Sequence, residues 1–194
     1  MKPGSCVEIG AKATRLAAGA AALSPAQARL LDASTNPRIP YNLDAWDGYP
    51  SQREAVLQAA KAAGKRLVAV SGDSHNAWFA NLTTLAGERV GWEFAGASVT
   101  SPGFESVGLG SLGPSLDGSA LVPQLGPVAV GAGLGLIDDL GWTDTSRRGY
   151  LLLTVTSGST RGEFVFVDTV KSGTYSSAIG RTITFQATGA VQIG

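Results

Sequence analysis

A helical stretch, a glycine and a short apolar run follow one another between Ser51 and Val70, and no other feature narrows the fold as far. Ala55, Val56, Leu57, Ala59 and Ala62 recur at helical spacing and predict the buried face of a helix over 51–63. Gly64 stands where a left-handed C-terminal cap belongs. Leu67-Val68-Ala69-Val70 then reads as a buried strand, and it runs straight into a polar segment. Helix, glycine, strand and polar loop is the order of α/β proteins, whose sites collect at strand carboxyl ends.

The flanking sequence fits the same class. Residues 11–32 are helical in pieces; Ser24 is placed as an N-cap, with Pro25 in the first turn behind it. Asn36-Pro37 and Ile39-Pro40 force an extended connection. Arg89–Phe94 is a further candidate strand. Residues 101–126 are rich in Gly, Pro and Ser and read as a long loop. From Tyr150 the period changes to two. Tyr150–Thr156, a turn at 157–160 and Arg161–Val167 predict a hairpin, and Arg181–Ala187 a third strand. The chain therefore ends in β-structure, and no internal repeat is present.

Composition closes off several functions. With 194 residues the chain suits one domain. Lys+Arg and Asp+Glu are each 15, so the formal charge is zero, which argues against a nucleic-acid-binding surface and a polybasic membrane segment. No apolar stretch reaches the length of a transmembrane helix; Val128–Ile137 is too short and carries three glycines. Gly131–Gly135 resembles a dinucleotide fingerprint, but its third glycine would fall on Leu136. One cysteine, Cys6, and one histidine, His75, rule out an intrachain disulfide and a cysteine-based zinc cluster. No export signal is visible near Met1.

Two clusters carry chemistry. Ser71-Gly72-Asp73-Ser74-His75-Asn76 follows the strand, and a glycine turn at 72 would let Asp73, His75 and Asn76 project into one crevice. A carboxylate, an imidazole and an amide suit a hard or borderline metal ion. The same residues also suit a polar turn in which Asp73 caps backbone amides and His75 packs as a satisfied side chain. A serine-hydrolase elbow would need glycine where Asn76 stands. The second cluster, Tyr41–Pro50, sets Asp44, Trp46, Asp47 and Tyr49 close together. Its composition suits a helix-entry turn with aromatic core anchors better than a pocket wall.

Longer motifs add a resemblance. Asn42-Leu43-Asp44-Ala45-Trp46-Asp47-Gly48-Tyr49-Pro50, Ser71-Gly72-Asp73-Ser74-His75-Asn76-Ala77-Trp78, Glu93-Phe94-Ala95-Gly96 and Ser98-Val99-Thr100-Ser101-Pro102-Gly103 follow in this order. They resemble the PhoD-like alkaline phosphatase family of the metallophosphatase superfamily. Trp142–Tyr150 and Phe166–Val170 are similar to its closing segments, and the likeness covers about 24–170. It leaves 1–23 poorly matched and 171–194 as a terminal strand and tail.

The resemblance implies the carboxyl-terminal part of a two-sheet α/β sandwich flanked by helices, with metals at the strand ends. It implies hydrolysis of phosphate mono- and diesters by metal-activated hydroxide, with calcium and iron as the ions and a phosphate ester as substrate. The superfamily's late Gly-x-x-His element here reads Gly72-Asp73-Ser74-His75. Asp73 and His75 thus become the catalytic and metal-ligand candidates, with Asn76 as a third ligand. Asp44, Trp46, Asp47 and Tyr49 are assigned to the substrate pocket or to support of the ligands. The superfamily's early aspartates and its Gly-Asn-His/Asp element would lie upstream of Ser24, where Met1–Gly10 hold neither histidine nor aspartate. The expectation is a carboxyl-terminal fragment that carries half a site and leaves apolar edges uncovered; the alternative is a noncatalytic remnant or binding module. The family also implies a secreted or periplasmic parent protein.

Overall fold

Ser24 opens a short helix through a reciprocal cap. The computed structural model describes residues 11, 14–15, 18–32, 46–103, 106 and 139–194. In it Ser24 Oγ accepts the Gln27 N–H at 3.3 Å, while Gln27 Oε1 accepts the Ser24 N–H at 3.0 Å. Two otherwise orphaned donors are satisfied, and Pro25 in the first turn needs none. Helix α1 spans Pro25–Leu31.

Helix α2, Pro50–Ala62, follows a 3-10 turn at Trp46–Gly48. It starts one residue before the expected serine because the fixed φ of Pro50 already suits a first turn. Past its end Gly64 adopts φ +61°, the left-handed cap expected there. The expected alanine face is not the buried one. Ala55, Ala59 and Ala62 are exposed and Val56 is 46% exposed, whereas Arg53 and Leu57, one turn apart, are buried. The arginine sets this rotation. Its Nη1 donates to the Thr83 carbonyl at 3.1 Å, and its guanidinium lies 5.5 Å from the centre of the Trp46 ring.

Among the described residues eight strands form two four-stranded sheets. The first holds β1 (Leu67–Ser71), β2 (Ala77–Thr83), β3 (Arg89–Ala95) and β4 (Leu140–Asp144) in the order β1-β3-β2-β4. The second holds β5 (Arg148–Val155), β6 (Ser159–Val167), β7 (Ser177–Gln186) and β8 (Val191–Ile193) in chain order. It is antiparallel throughout, with Leu151 opposite Phe164 and Gly162 opposite Ile183. The expected hairpin and third strand are its β5, β6 and β7. β1 departs from expectation: it is an edge strand, half-buried along Leu67–Ala69, with Val70 63% exposed. An unbroken apolar run does not distinguish an interior strand from an edge.

The chain divides into two compact units. The first takes in the described parts of Met1–Leu67, Ala80–Trp92 and Ala120–Trp142; the second those of Val68–Phe79, Glu93–Ser119 and Thr143–Gly194. In the first, Leu57, Leu82, Trp92 and Leu140 are buried, and the guanidiniums of Arg66 and Arg89 lie 5.7 and 5.1 Å from the Trp92 ring centre. Lys61 and Glu88 form an ion pair there.

In the second unit the core is aromatic. Phe94 lies with its ring centre 4.9 Å from Phe79, 6.0 Å from Phe164 and 6.1 Å from Phe185. Burial of rings this size stabilises by about 2–3 kcal/mol each. Phe79 and Phe94 belong to the first sheet and Phe164 and Phe185 to the second, so the two sheets meet through these rings.

Candidate active site

β1 ends at Ser71, and the loop that follows turns without help from glycine. Gly72 lacks a positive φ, whereas Asp73 and His75 have φ of +50° and +60°. Asp and His are among the few side chains that tolerate this left-handed region, and strained backbone of this kind gathers at functional sites. The expected glycine turn is thus replaced by a turn made from the two candidate ligands themselves. Ser74 N–H closes it on the Gly72 carbonyl at 2.6 Å.

The His75 ring is oriented by a backbone atom. Nδ1 lies 2.8 Å from the Pro102 carbonyl oxygen. A carbonyl only accepts, so Nδ1 carries a proton, and in the neutral ring Nε2 is the nitrogen with the lone pair. This is the arrangement in which protein histidines bind metal: one nitrogen held by a carbonyl, the other free to coordinate. His75 is half-buried, and Asp73 beside it is exposed.

Asn76 points the other way. It is 0% exposed, and its Nδ2 donates to the Thr145 carbonyl at 2.7 Å. Its amide nitrogen is therefore engaged in tying the loop to the β4–β5 turn, and only Oδ1 has the chemistry of a ligand. Ser74 Oγ accepts the Trp78 indole N–H at 2.9 Å. With His75 Nδ1 on Pro102, neither of these atoms serves the other as a nucleophile–base pair would require.

Two further segments converge on the loop. Arg148, 7% exposed, donates Nη1 to the carbonyls of His75 and Arg147, each at 2.9 Å. Burial lowers the pKa of its guanidinium from the ordinary value. Gly103 packs so closely that a Cβ there would lie 2.5 Å from Asn76 Nδ2 and 2.9 Å from Arg148 Nη2. Asp144, also buried, accepts the Ser146 and Arg147 N–H groups and pairs with Arg147 Nε at 2.6 Å, which shapes the turn that delivers Arg148. At the end of β1, Ser71 Oγ donates to Glu93 Oε1 at 2.6 Å. Pro102, Gly103 and Arg148 are absent from the sequence-derived site. They lie within matched motifs, but nothing in their spacing links them to His75.

Among the described residues no three of His, Cys, Asp and Glu gather as a metal-holding group. The donors of the loop suit one side of such a site: an exposed carboxylate at Asp73 and an imidazole nitrogen at His75. In the second cluster Trp46 is half-buried against Arg53 and Tyr49 is exposed. Asp44 and the Asp47 side chain lie outside the described residues, as do most of 101–126 and all of Val128–Ile137.

A family model described as PhoD-like phosphatase matches residues 12–164, most of the chain and all of the loop just described. The chain belongs to the PhoD-like phosphatase family. It is 40% identical over 68 residues to alkaline phosphatase D of Bacillus subtilis (strain 168), a match that covers 32% of this chain and 12% of that protein. A solved structure of PhoD matches with a TM-score of 0.53 at 20% identity, covering 79% of this chain and 27% of that one. The PhoD-like fold is thus shared, and this chain spans only a minor part of each relative's length. No helix among the described residues is long and apolar enough to cross a membrane.

Proposed function

We infer that this chain contributes one side of the site of a metal-dependent phosphoesterase that hydrolyses phosphate mono- and diesters, with the remaining ligands supplied from outside the described residues. The observation that carries this reading is the His75 tautomer, Nδ1 given to Pro102 and Nε2 left as a donor to a metal, in a chain of the PhoD-like family. Asp73 Oδ and His75 Nε2 would hold the ion, with Asn76 Oδ1 as a third donor; calcium and iron are the proposed ions. Such an ion supplies Lewis-acid stabilisation of phosphoryl charge and lowers the pKa of an attacking water. The chain's own part is geometric. Asp73 and His75 stand two residues apart in one turn, and the Pro102 carbonyl holds the imidazole proton on Nδ1, away from Nε2. Trp46 and Tyr49 are proposed to line the substrate pocket, with Asp44 and Asp47 supporting the ligands. Secretion or a periplasmic location is proposed for the whole protein.

The test is hydrolysis of p-nitrophenyl phosphate and its bis ester by the protein expressed from its own gene, with calcium and iron salts added. Asp73→Ala and His75→Ala are each expected to lower turnover by at least about a hundredfold. Turnover unchanged in both variants would overturn the reading. A second reading, a noncatalytic module on the same fold, is favoured by one observation: among the described residues no metal-holding group of three is complete. It predicts no turnover under any metal.

A further inference from the structure

We propose that Arg148 is a positioning residue for His75, acting with the Pro102–Gly103 peptide as a clasp that selects the Nδ1–H tautomer. The proposal rests on the metal-ligand reading of His75 and adds what keeps that ligand usable.

The clasp has two sides. On the backbone side, Arg148 Nη1 donates to the carbonyl of His75 itself at 2.9 Å. A residue at φ +60° is held against its intrinsic preference, so a charge-assisted bond to its carbonyl offsets the strain of the turn. On the side-chain side, His75 Nδ1 donates to Pro102 O. The two sides are joined at Gly103, the residue after Pro102, whose missing side chain lets the peptide lie against both the Arg148 guanidinium and the Asn76 amide. Asn76 in turn is fastened to Thr145, three residues before Arg148. Ser98 closes the frame: its N–H lies 3.4 Å from the His75 carbonyl, and its own carbonyl accepts the Gly149 N–H at 3.0 Å.

Each of these partners holds either His75 or the peptide that receives its proton. Without the arginine, the His75 carbonyl loses its charged donor and keeps only the longer bond from the Ser98 N–H, and the Pro102–Gly103 peptide loses part of the surface it packs on. The imidazole is then released to the tautomer with its proton on Nε2, which takes that nitrogen's lone pair away from a metal. Methionine has a similar length but offers no donor, so Arg148→Met removes the clasp. Arg148→Lys restores one charged donor.

The single histidine makes the test direct. The imidazole 15N shifts of the metal-free 194-residue chain in alkaline buffer report the tautomer of His75 without assignment. The wild-type chain is expected to show Nδ1–H as the dominant form. In Arg148→Met the Nδ1–H:Nε2–H ratio should fall about tenfold, the loss of roughly one good hydrogen bond. Arg148→Lys should recover part of it. A wild-type chain that is mainly Nε2–H overturns the proposal whether or not any variant folds, and so does an unchanged ratio in a folded Arg148→Met. The metal content of the protein expressed from its own gene separates the two readings: an Nδ1–H imidazole beside a His75→Ala variant that keeps its metal supports the clasp and sinks the metal reading. An Nε2–H imidazole beside a His75→Ala variant that loses its metal sinks the clasp alone.

Discussion

Gly162 on β6 lies under the ring of Phe94 on β3, so close that a Cβ there would sit 2.3 Å from Phe94 Cε1. The glycine is the hole into which the ring fits, and Phe94 has no other way to reach Phe164 and Phe185. Gly162→Ala must displace the ring, and overpacking of this kind costs about 1–3 kcal/mol. Phe94→Ala leaves a cavity and should cost about 3–5 kcal/mol. Urea unfolding followed by tryptophan fluorescence measures both. A Gly162→Ala variant as stable as the wild type would show that the two sheets do not meet as described.

Arg53 fixes the rotation of α2, so its removal should cost more than a surface arginine does. Arg53→Ala forfeits the bond to the Thr83 carbonyl and the contact with Trp46, together about 2–3 kcal/mol. Val56→Ala, on the exposed side of the same helix, should change stability by less than about 0.5 kcal/mol. The pair of unfolding curves checks which face is buried. The reverse order would restore the alanine face suggested by spacing.

Ser74 separates the metal reading from a serine nucleophile. Its Oγ receives the Trp78 indole N–H, so Ser74→Ala should cost at most about 1 kcal/mol of stability and leave most of the turnover. Asp73→Ala and His75→Ala should lose metal as well as turnover. Metal content measured after gel filtration, beside phosphatase rates, distinguishes the cases. A dead Ser74→Ala beside ligand variants that keep their metal would assign the enzyme to another class.

Asp168 makes the loop to Ser176 sensitive to acid. The Ser176 hydroxyl and N–H both donate to its carboxylate, at 2.7 and 3.0 Å, and they hold its pKa below the ordinary 3.8. The ionised form is the one bonded, so these bonds are in place above pH 3.8 and are lost as the pH falls through the lowered folded-state pKa. The Ser176 amide shift, followed on acidification, should titrate with a midpoint below 3.8. Asp168→Asn should abolish that step. A Ser176 shift that titrates at or above 3.8 would contradict the bonding.

Exposed apolar residues predict how the chain behaves in solution. Val70 on edge strand β1 and Tyr150, Leu152 and Val155 on edge strand β5 face solvent. Exposed, apolar sheet edges invite pairing with other chains. The 194-residue chain is expected to self-associate at micromolar concentration, and Leu152→Lys with Val155→Glu to reduce that association several-fold in sedimentation. A monodisperse wild-type monomer would refute the expectation.

Much of this protein was decided locally, within a few residues of chain. The Ser24 cap, the Gly64 helix end, the β5–β6 hairpin and the family motifs all depend on near neighbours, and each is legible as a string of residue types. The strand–loop junction at Ser71–Asn76 was legible for the same reason, and so was the placing of Asp73 and His75 together in its loop. What escaped was whatever depends on a partner far along the chain. The helix face was misread because Arg53 answers to Thr83, thirty residues away, rather than to the periodicity of its own alanines. β1 read as interior because an apolar run does not state how many neighbours it has. β2 and β4 carry no clean alternation, so their pairing emerges only in the sheet. The state of His75 was the least readable of all. Its tautomer depends on a carbonyl 27 residues downstream, and its backbone on an arginine 73 residues downstream. A sequence can name the imidazole, but only tertiary packing, by supplying the acceptor for one nitrogen, decides which nitrogen is left to bind.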